Sequence, residues 1–245
     1  TGMSARSREV LSKYMDKVKI IPDAPNPLQA GFDEARNFGL PHATKEWVLW
    51  VDSDEELLRP AQVFKYLRAN CYEGYSVRQH HFSAQPPNAF NPDLPTRLFR
   101  NNRGIKFFGV IHEHPETAIN AGIGESTILS DVDIAHNGYL TEDVRRKRFE
   151  RNYGLMLRDR EKYPDRALGK FLMMRDWVHK ARYIRERTMG HSTPEVIELC
   201  KQVVKCYQDE FLGKPTMMSS DGLSFYSEAL LLLGQGLEYT FNVAV

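Results

Sequence analysis

A chain of 245 residues with 42% hydrophobic content is long enough for one large domain, or for a domain with an appendage. Its 33 Lys and Arg nearly balance 32 Asp and Glu, and a net charge of +1 argues neither for nor against an anionic partner. No apolar run reaches the roughly 18 residues of a membrane span. Cys71, Cys200 and Cys206 lack metal-ligand spacing and leave an odd thiol, which, with no secretory signal predicted, suits a reducing, cytoplasmic compartment.

Residues 4–15 predict a short helix with Ser4 as its N-cap. Lys17 to Ile21 alternates like a strand, and the prolines at 22, 25 and 27 mark a loop. From Gly31 to Leu40 the sequence suits a helix, with Phe32, Ala35 and Phe38 at helical spacing. The run Trp47-Val48-Leu49-Trp50-Val51 is unbroken apolar sequence and predicts a buried, parallel strand over 46–52. It stops abruptly at Asp52-Ser53-Asp54-Glu55.

Further on, residues 60–70 predict a helix and 75–82 a strand. The proline- and asparagine-rich stretch 83–95 reads as a long binding loop or lid. Residues 96–100 predict a short strand, 101–104 a turn, and 105–110 the partner of that strand; 127–134 alternates again. From 141 onward only helical patterns remain. Their apolar stripes are Phe149, Tyr153 and Met156; Phe171, Met174, Trp177 or Val178, Ala181 and Ile184; Val196, Leu199, Val203 and Tyr207; and Leu223, Tyr226, Leu230, Leu233 and Leu237. These read as two helical hairpins. The division expected is an α/β domain over 1–140 and a helical region over 141–245.

Carboxylates at the carboxyl end of a buried strand stand where open α/β sheets bind ligands. If the extended backbone continues through Ser53, Asp52 and Asp54 point the same way, and two such acids suit a hard divalent cation that in turn binds phosphate. Taken alone, the tetrapeptide also reads as a solvated loop capping the next helix.

Several motifs taken together resemble family 2 glycosyltransferases of the GT-A fold. They are Gly31 to Leu40 with its Ala35-Arg36-Asn37, the Trp-containing strand ending in Asp52-Ser53-Asp54, Arg97-Leu98-Phe99-Arg100-Asn101, Gly109-Val110-Ile111-His112-Glu113, and His136-Asn137-Gly138-Tyr139. The resemblance covers roughly residues 1–160. It implies an α/β fold, a GT-A-like (Rossmann-like) mixed sheet flanked by helices, here followed by the helical hairpins. The family's first strand, helix and second strand find no counterpart, since Thr1-Gly2-Met3-Ser4 matches a segment that follows them.

The resemblance further implies transfer of a sugar, with inversion, from a nucleoside diphosphate sugar, a UDP-sugar first, to an acceptor hydroxyl. Asp52 and Asp54 would hold Mn²⁺ or Mg²⁺, with His136 as a late metal or diphosphate contact. Glu113 is the expected catalytic base, and Asp93 the competing one. Arg36 would contact donor phosphate or base, or else is an exposed helix arginine; Arg97 and Arg100 would line the diphosphate site, or else pair with surface acids, and Asn37 would brace the Asp52 loop. The basic run Arg145-Arg146-Lys147-Arg148 with Arg151 admits a nucleic acid acceptor, but interleaved acids favour a solvated face. A glycan or protein acceptor is the expectation. Two other classes compete: a non-catalytic binding module on a GT-A shell, and a metal-dependent phosphoryl or nucleotidyl transferase.

Overall fold

The computed structural model describes residues 5–14, 17, 19, 21, 23–68, 72–82, 93–115, 126–137, 142–214 and 217–243, with side chains at all of these except 5–8, 126–130, 142–146, 149, 217 and 237–243. The chain divides into two compact units, Thr1–Leu155 and Met156–Val245.

The first unit contains a five-stranded mixed sheet. Its strands are β1 (Trp47–Leu49), β2 (Glu55–Leu58), β3 (Gly74–His81), β4 (Thr96–Arg100) and β5 (Ser126–His136), in the order β1-β4-β3-β5-β2. Only the β3–β5 pair is parallel; the other three pairs are antiparallel. Both faces carry apolar clusters. Tyr75, Val77, Leu98, Val132 and Ile134 pack with Val63 of α4 (Val63–Arg68), while Phe99, Ile105 and Phe107 pack with Leu40, Val48 and Trp50. With the helices before the sheet, α1 (Ala5–Ser12), α2 (Pro27–Ala30) and α3 (Phe32–Gly39), this is the GT-A-like α/β arrangement that the sequence implied.

The parallel reading of the 46–52 strand is corrected. β1 is three residues long, lies at an edge of the sheet and runs antiparallel to β4, with Leu49 and Val51 each 39% exposed. Its unbroken apolar run has another cause. Trp47 packs toward the Tyr75 cluster and Val48 and Trp50 toward the Phe99 cluster, so successive side chains meet apolar partners on both faces whatever the strand's direction.

The acidic tetrapeptide turns, with Glu55 N–H bonded to the Asp52 carbonyl at 3.1 Å, and leads into β2 rather than into a helix. The segment 105–110 is not the partner of β4, because both edges of β4 are taken by β1 and β3. It forms an irregular loop closed by paired backbone bonds between Phe108 and His114. Of the expected strand at 17–21, Lys17, Lys19 and Ile21 lie in no strand, and Val18 and Ile20 fall outside the described residues, as do Cys71, residues 83–92 and Gly138 to Leu140.

The four predicted helical stretches are α5 (Glu142–Lys162), α6 (Ala167–Arg187), α7 (Pro194–Glu210) and α8 (Met217–Val243). α7 starts at a Thr193 cap, whose hydroxyl accepts from Val196 N–H, with Pro194 in its first turn. In the second unit, Met174, Trp177, Val178 and Ala181 of α6 and Val196, Leu199, Val203 and Tyr207 of α7 are buried, as the stripes predicted. The α8 stripe is corrected in phase. Leu223 and Leu230 are exposed, and the inward positions are Ser219, Gly222, Ala229, Leu232 and Gly236. Small residues face inward because the neighbours approach closely. A Cβ on Gly236 would stand 3.0 Å from the Ser192 Cβ, and one on Gly222 would stand 3.2 Å from the Met174 Cε. The buried Cys200 and the half-buried Cys206 have thiols pushed up to about 11 by burial, in keeping with inert packing residues. Among the described residues, no helix is long and apolar enough to cross a membrane.

Candidate active site

The site grows from α3. Phe32 N–H donates to the Val110 carbonyl at 2.8 Å, tying the start of α3 to the loop that carries Glu113. The same junction needs Gly31 (φ 119°), where a Cβ would stand 2.5 Å from the Asp33 carboxylate. Later in α3, Asn37 bonds both backbone groups of Phe107, at 2.8 and 2.9 Å. Asn37 therefore braces the 105–115 loop rather than the Asp52 loop expected for it.

Arg36 stands between these anchors and joins two acids far apart in sequence. Its Nη2 donates to Asp52 Oδ1 at 2.7 Å and its Nε to Glu113 Oε1. The Glu113 side chain is only 7% exposed, and burial pushes its carboxyl above the ordinary carboxylate range against the pull of Arg36. Next to Glu113, His112 holds a left-handed backbone (φ 51°), a strained conformation for a side-chain-bearing residue.

Trp50 lies between two guanidinium groups, with Arg36 Cζ 4.2 Å and Arg97 Cζ 3.7 Å from its ring centre. Its indole N–H is fixed to the Thr96 carbonyl at 2.8 Å. Arg97 in turn grips the buried Glu55 through two bonds of 2.7 and 3.0 Å, and Glu55 accepts the Asp52 N–H at 2.8 Å. The acid-bearing turn is thus held by a buried ion pair. A cleft of about 410 Å³ opens beside this stack, lined by Pro27, Phe32, Leu40, Val48, Phe107 and the polar Arg36 and Asp52 among others.

Asp54 is engaged elsewhere. His136 Nε2 lies 3.5 Å from Asp54 Oδ2, and the Arg148 guanidinium of α5 pairs with the same oxygen. The His136 imidazole first, and then Arg148, hold the Asp54 carboxyl well below the ordinary range, against the opposing effect of burial. Asp52 and Asp54, expected on one side of a continuing strand, meet different partners because the chain turns at Ser53.

Asp93 sits beside β3, its backbone bonded both ways to Gln79 and its exposed carboxylate 2.9 Å from His81 Nε2. His81 Nδ1 then meets His136 Nδ1 at 2.7 Å. Arg100 turns away from this group and pairs with Glu46 over the Trp47 ring. The structure brings Arg36, Asp52 and Glu113 into one group, and Asp54, His136 and Asp93 into a second, the last through His81. Sequence reasoning missed Trp50, Glu55, His81 and Arg148 as members of these groups. Glu55 and Trp50 had a signal, since an acid and an indole flank Asp52 within a few positions; His81 had none short of the strand register, and Arg148, in α5, had none.

The family model "Glycosyl transferase family 2" matches residues 2–126, slightly more than half of the chain. The chain belongs to glycosyl transferase family 2. Among curated relatives, the SPbeta prophage-derived glycosyltransferase SunS of Bacillus subtilis (strain 168) is 26% identical over 118 residues, covering 44% of this chain and 25% of that protein. The glycosyltransferase SunS of Bacillus phage SPbeta matches with the same figures. The chain spans about a quarter of the length of these relatives. Within this family 2 chain the matched segment contains Arg36, Asp52, Asp54, Asp93, Arg97 and Glu113, whereas His136 and Arg148 lie beyond it.

Proposed function

We propose that the chain is the catalytic part of an inverting glycosyltransferase that moves a sugar from a nucleoside diphosphate sugar, a UDP-sugar first, to a hydroxyl of a glycan or protein acceptor. The observation that carries this reading is the Arg36 bridge. It ties a buried carboxylate, Glu113, to the first acid of the Asp-Ser-Asp turn, and Arg36 and Asp52 line one cleft.

Glu113 is the proposed base. A base that accepts the acceptor's proton works best with a pKa near the working pH, and burial moves the Glu113 carboxyl in that direction. Arg36 keeps it ionised and aimed, and is itself held in place by Asp52 and Trp50. Asp93 is set aside from this role, since its carboxylate is committed to His81 and exposed.

Asp54 and His136 are the proposed holders of Mn²⁺ or Mg²⁺. Among the described residues no group of three or more His, Cys, Asp and Glu surrounds a metal position. A carboxylate with an imidazole nitrogen 3.5 Å away nonetheless fits such ions, which keep few protein ligands and take the remainder from water and phosphate. When bound, the ion neutralises charge that develops on the departing diphosphate. Arg148, already on Asp54, adds a positive charge at the same place.

Calorimetric titration with UDP, with and without Mn²⁺, tests the reading. The expected result is metal-dependent binding that Asp54→Ala abolishes. Undiminished metal-dependent binding in Asp54→Ala removes the metal assignment, and failure of UDP, GDP, CDP and dTDP alike to bind removes the donor assignment.

A further inference from the structure

A cavity of about 340 Å³ within the second unit is lined by Arg182, Arg185 and Glu186 of α6, by Gly190 in the turn that follows, and by Leu232 of α8. Other arginines of this unit have carboxylate partners. Arg166 pairs with Asp159, Arg175 with Asp176, and Arg182 with Glu228 through contacts of 2.6, 2.7 and 2.9 Å. Arg185 is half-buried and has no carboxylate partner among the described residues. Its Nε donates instead to the Gly190 carbonyl at 2.8 Å.

The backbone fixes that guanidinium. Met189 and Gly190 are both left-handed (φ 52° and 87°), which for methionine is a strained conformation that persists only where its surroundings enforce it. Gly190 N–H donates back to the Arg185 carbonyl at 2.9 Å, and the Thr188 hydroxyl donates to the His191 carbonyl at 2.8 Å, so the turn is tied on both sides. A basic side chain bonded to a carbonyl past the end of its helix is ordinary capping. Here the cap uses one of the five N–H groups of a guanidinium. The four on Nη1 and Nη2 bond no described residue.

A pair of Nη groups matches the two oxygens of a carboxylate or a phosphate. Glu186 decides between them. It lines the same cavity, is exposed, and has no cationic partner among the described residues. Its charge repels a phosphate dianion more than a carboxylate monoanion. The apolar Leu232 suits the methylenes of an acidic side chain rather than the hydroxyl-covered ring of a sugar acid.

We infer that this cavity binds the carboxylate of an acidic residue in a polypeptide partner, gripped by the two Nη groups of Arg185. Arg182, held by Glu228, adds positive charge to the same wall. No residue of the sugar-transfer chemistry proposed above takes part.

Titration of the full chain, followed through the Arg185 Nε–H resonance, tests the assignment. The probes are the N-acetylated, amidated tripeptide Ala-Glu-Ala, its counterpart Ala-Gln-Ala, glucuronate and inorganic phosphate, all at one ionic strength. The expected result is a saturable shift with the Glu peptide and none with the Gln peptide, weakened about 10-fold or more in Arg185→Gln. Glu186→Gln changes only an exposed side chain and serves as the second variant. It is expected to bind the Glu peptide about 2- to 5-fold more tightly and to gain affinity for phosphate, an effect that a purely capping role for Arg185 does not produce. Equal binding of the Glu and Gln peptides, undiminished binding by Arg185→Gln, or binding in Glu186→Gln that is no tighter overturns the proposal. A shift with glucuronate but not with the Glu peptide overturns the polypeptide partner.

Discussion

Arg97 holds Glu55 through two parallel bonds of 2.7 and 3.0 Å, with side chains 3% and 1% exposed. The pair positions more than itself, because the same carboxylate accepts the Asp52 N–H at the start of the acidic turn. Removing one partner leaves a buried charge without its counterpart. Glu55→Ala is expected to lose about 3–5 kcal/mol of unfolding free energy, read by urea denaturation. The double variant Glu55→Leu/Arg97→Met, which buries no charge, is expected to recover most of it. A loss from Glu55→Ala no greater than that of an exposed pair would remove the pair from any supporting role.

The buried Glu113 carboxyl makes a prediction about pH. Its folded pKa lies above the ordinary value of 4.5, with burial the largest cause, so the folded state binds this proton more readily than the unfolded chain does. A base must be ionised, and the acid limb of kcat/KM for sugar transfer is therefore expected above pH 4.5, with activity lost as pH falls through the raised pKa. Arg36 opposes that rise. Arg36→Met is expected to move the acid limb to higher pH, while Glu113→Gln abolishes turnover across the profile. A limb that stays in place in Arg36→Met would show that another group sets it.

Asp54 has the opposite sign. Its folded pKa is depressed below the ordinary 3.8, chiefly by the His136 imidazole and also by Arg148. Its contribution to stability is therefore fully present above about pH 4 and is lost as pH falls from there toward the folded pKa. Asp54→Asn is expected to flatten the fall of stability with acid in this window and to leave the slope at neutral pH unchanged. Denaturation midpoints recorded at pH 2.5, 3.5, 4.5 and 7 measure it; parallel curves for the two proteins would mean that Asp54 gains nothing from its partners.

Much of this was legible in the sequence because it is carried by local pattern. The Ala35-Arg36-Asn37 helix, the acid turn after an apolar run and the late helical stripes are readable from neighbours in the chain. What was not legible depends on pairing. Nothing local tells an edge strand covered on both faces from a central parallel strand, since Trp47, Val48 and Trp50 look the same in either. Likewise, a turn at Ser53 separates Asp52 from Asp54 for reasons that lie in Glu55 and its distant partner Arg97. The His81–His136 contact depends on a register shift between Val77 and Arg78 that sequence alternation does not encode. In α8, ranking residues by hydrophobicity put Leu223 and Leu230 inward, whereas close packing selects glycine and alanine.

Close packing also predicts opposite effects for one substitution at two helical glycines. Gly169 lies in α6, where a Cβ would stand 2.3 Å from Asp159 Oδ2. That carboxylate is 1% exposed and accepts from Arg166 Nη1 at 2.8 Å, so it has no room to retreat without breaking a buried ion pair. Gly154, within α5, has open space around the same position. Alanine ordinarily stabilises a helix interior by about 0.5–1 kcal/mol relative to glycine, and Gly154→Ala is expected to show that gain. Gly169→Ala is expected to lose about 1–3 kcal/mol, the usual result of overfilling a packed interior. Urea denaturation of the two variants side by side decides the matter: equal gains in both would mean that Asp159 yields freely and that its pairing with Arg166 adds little to the second unit.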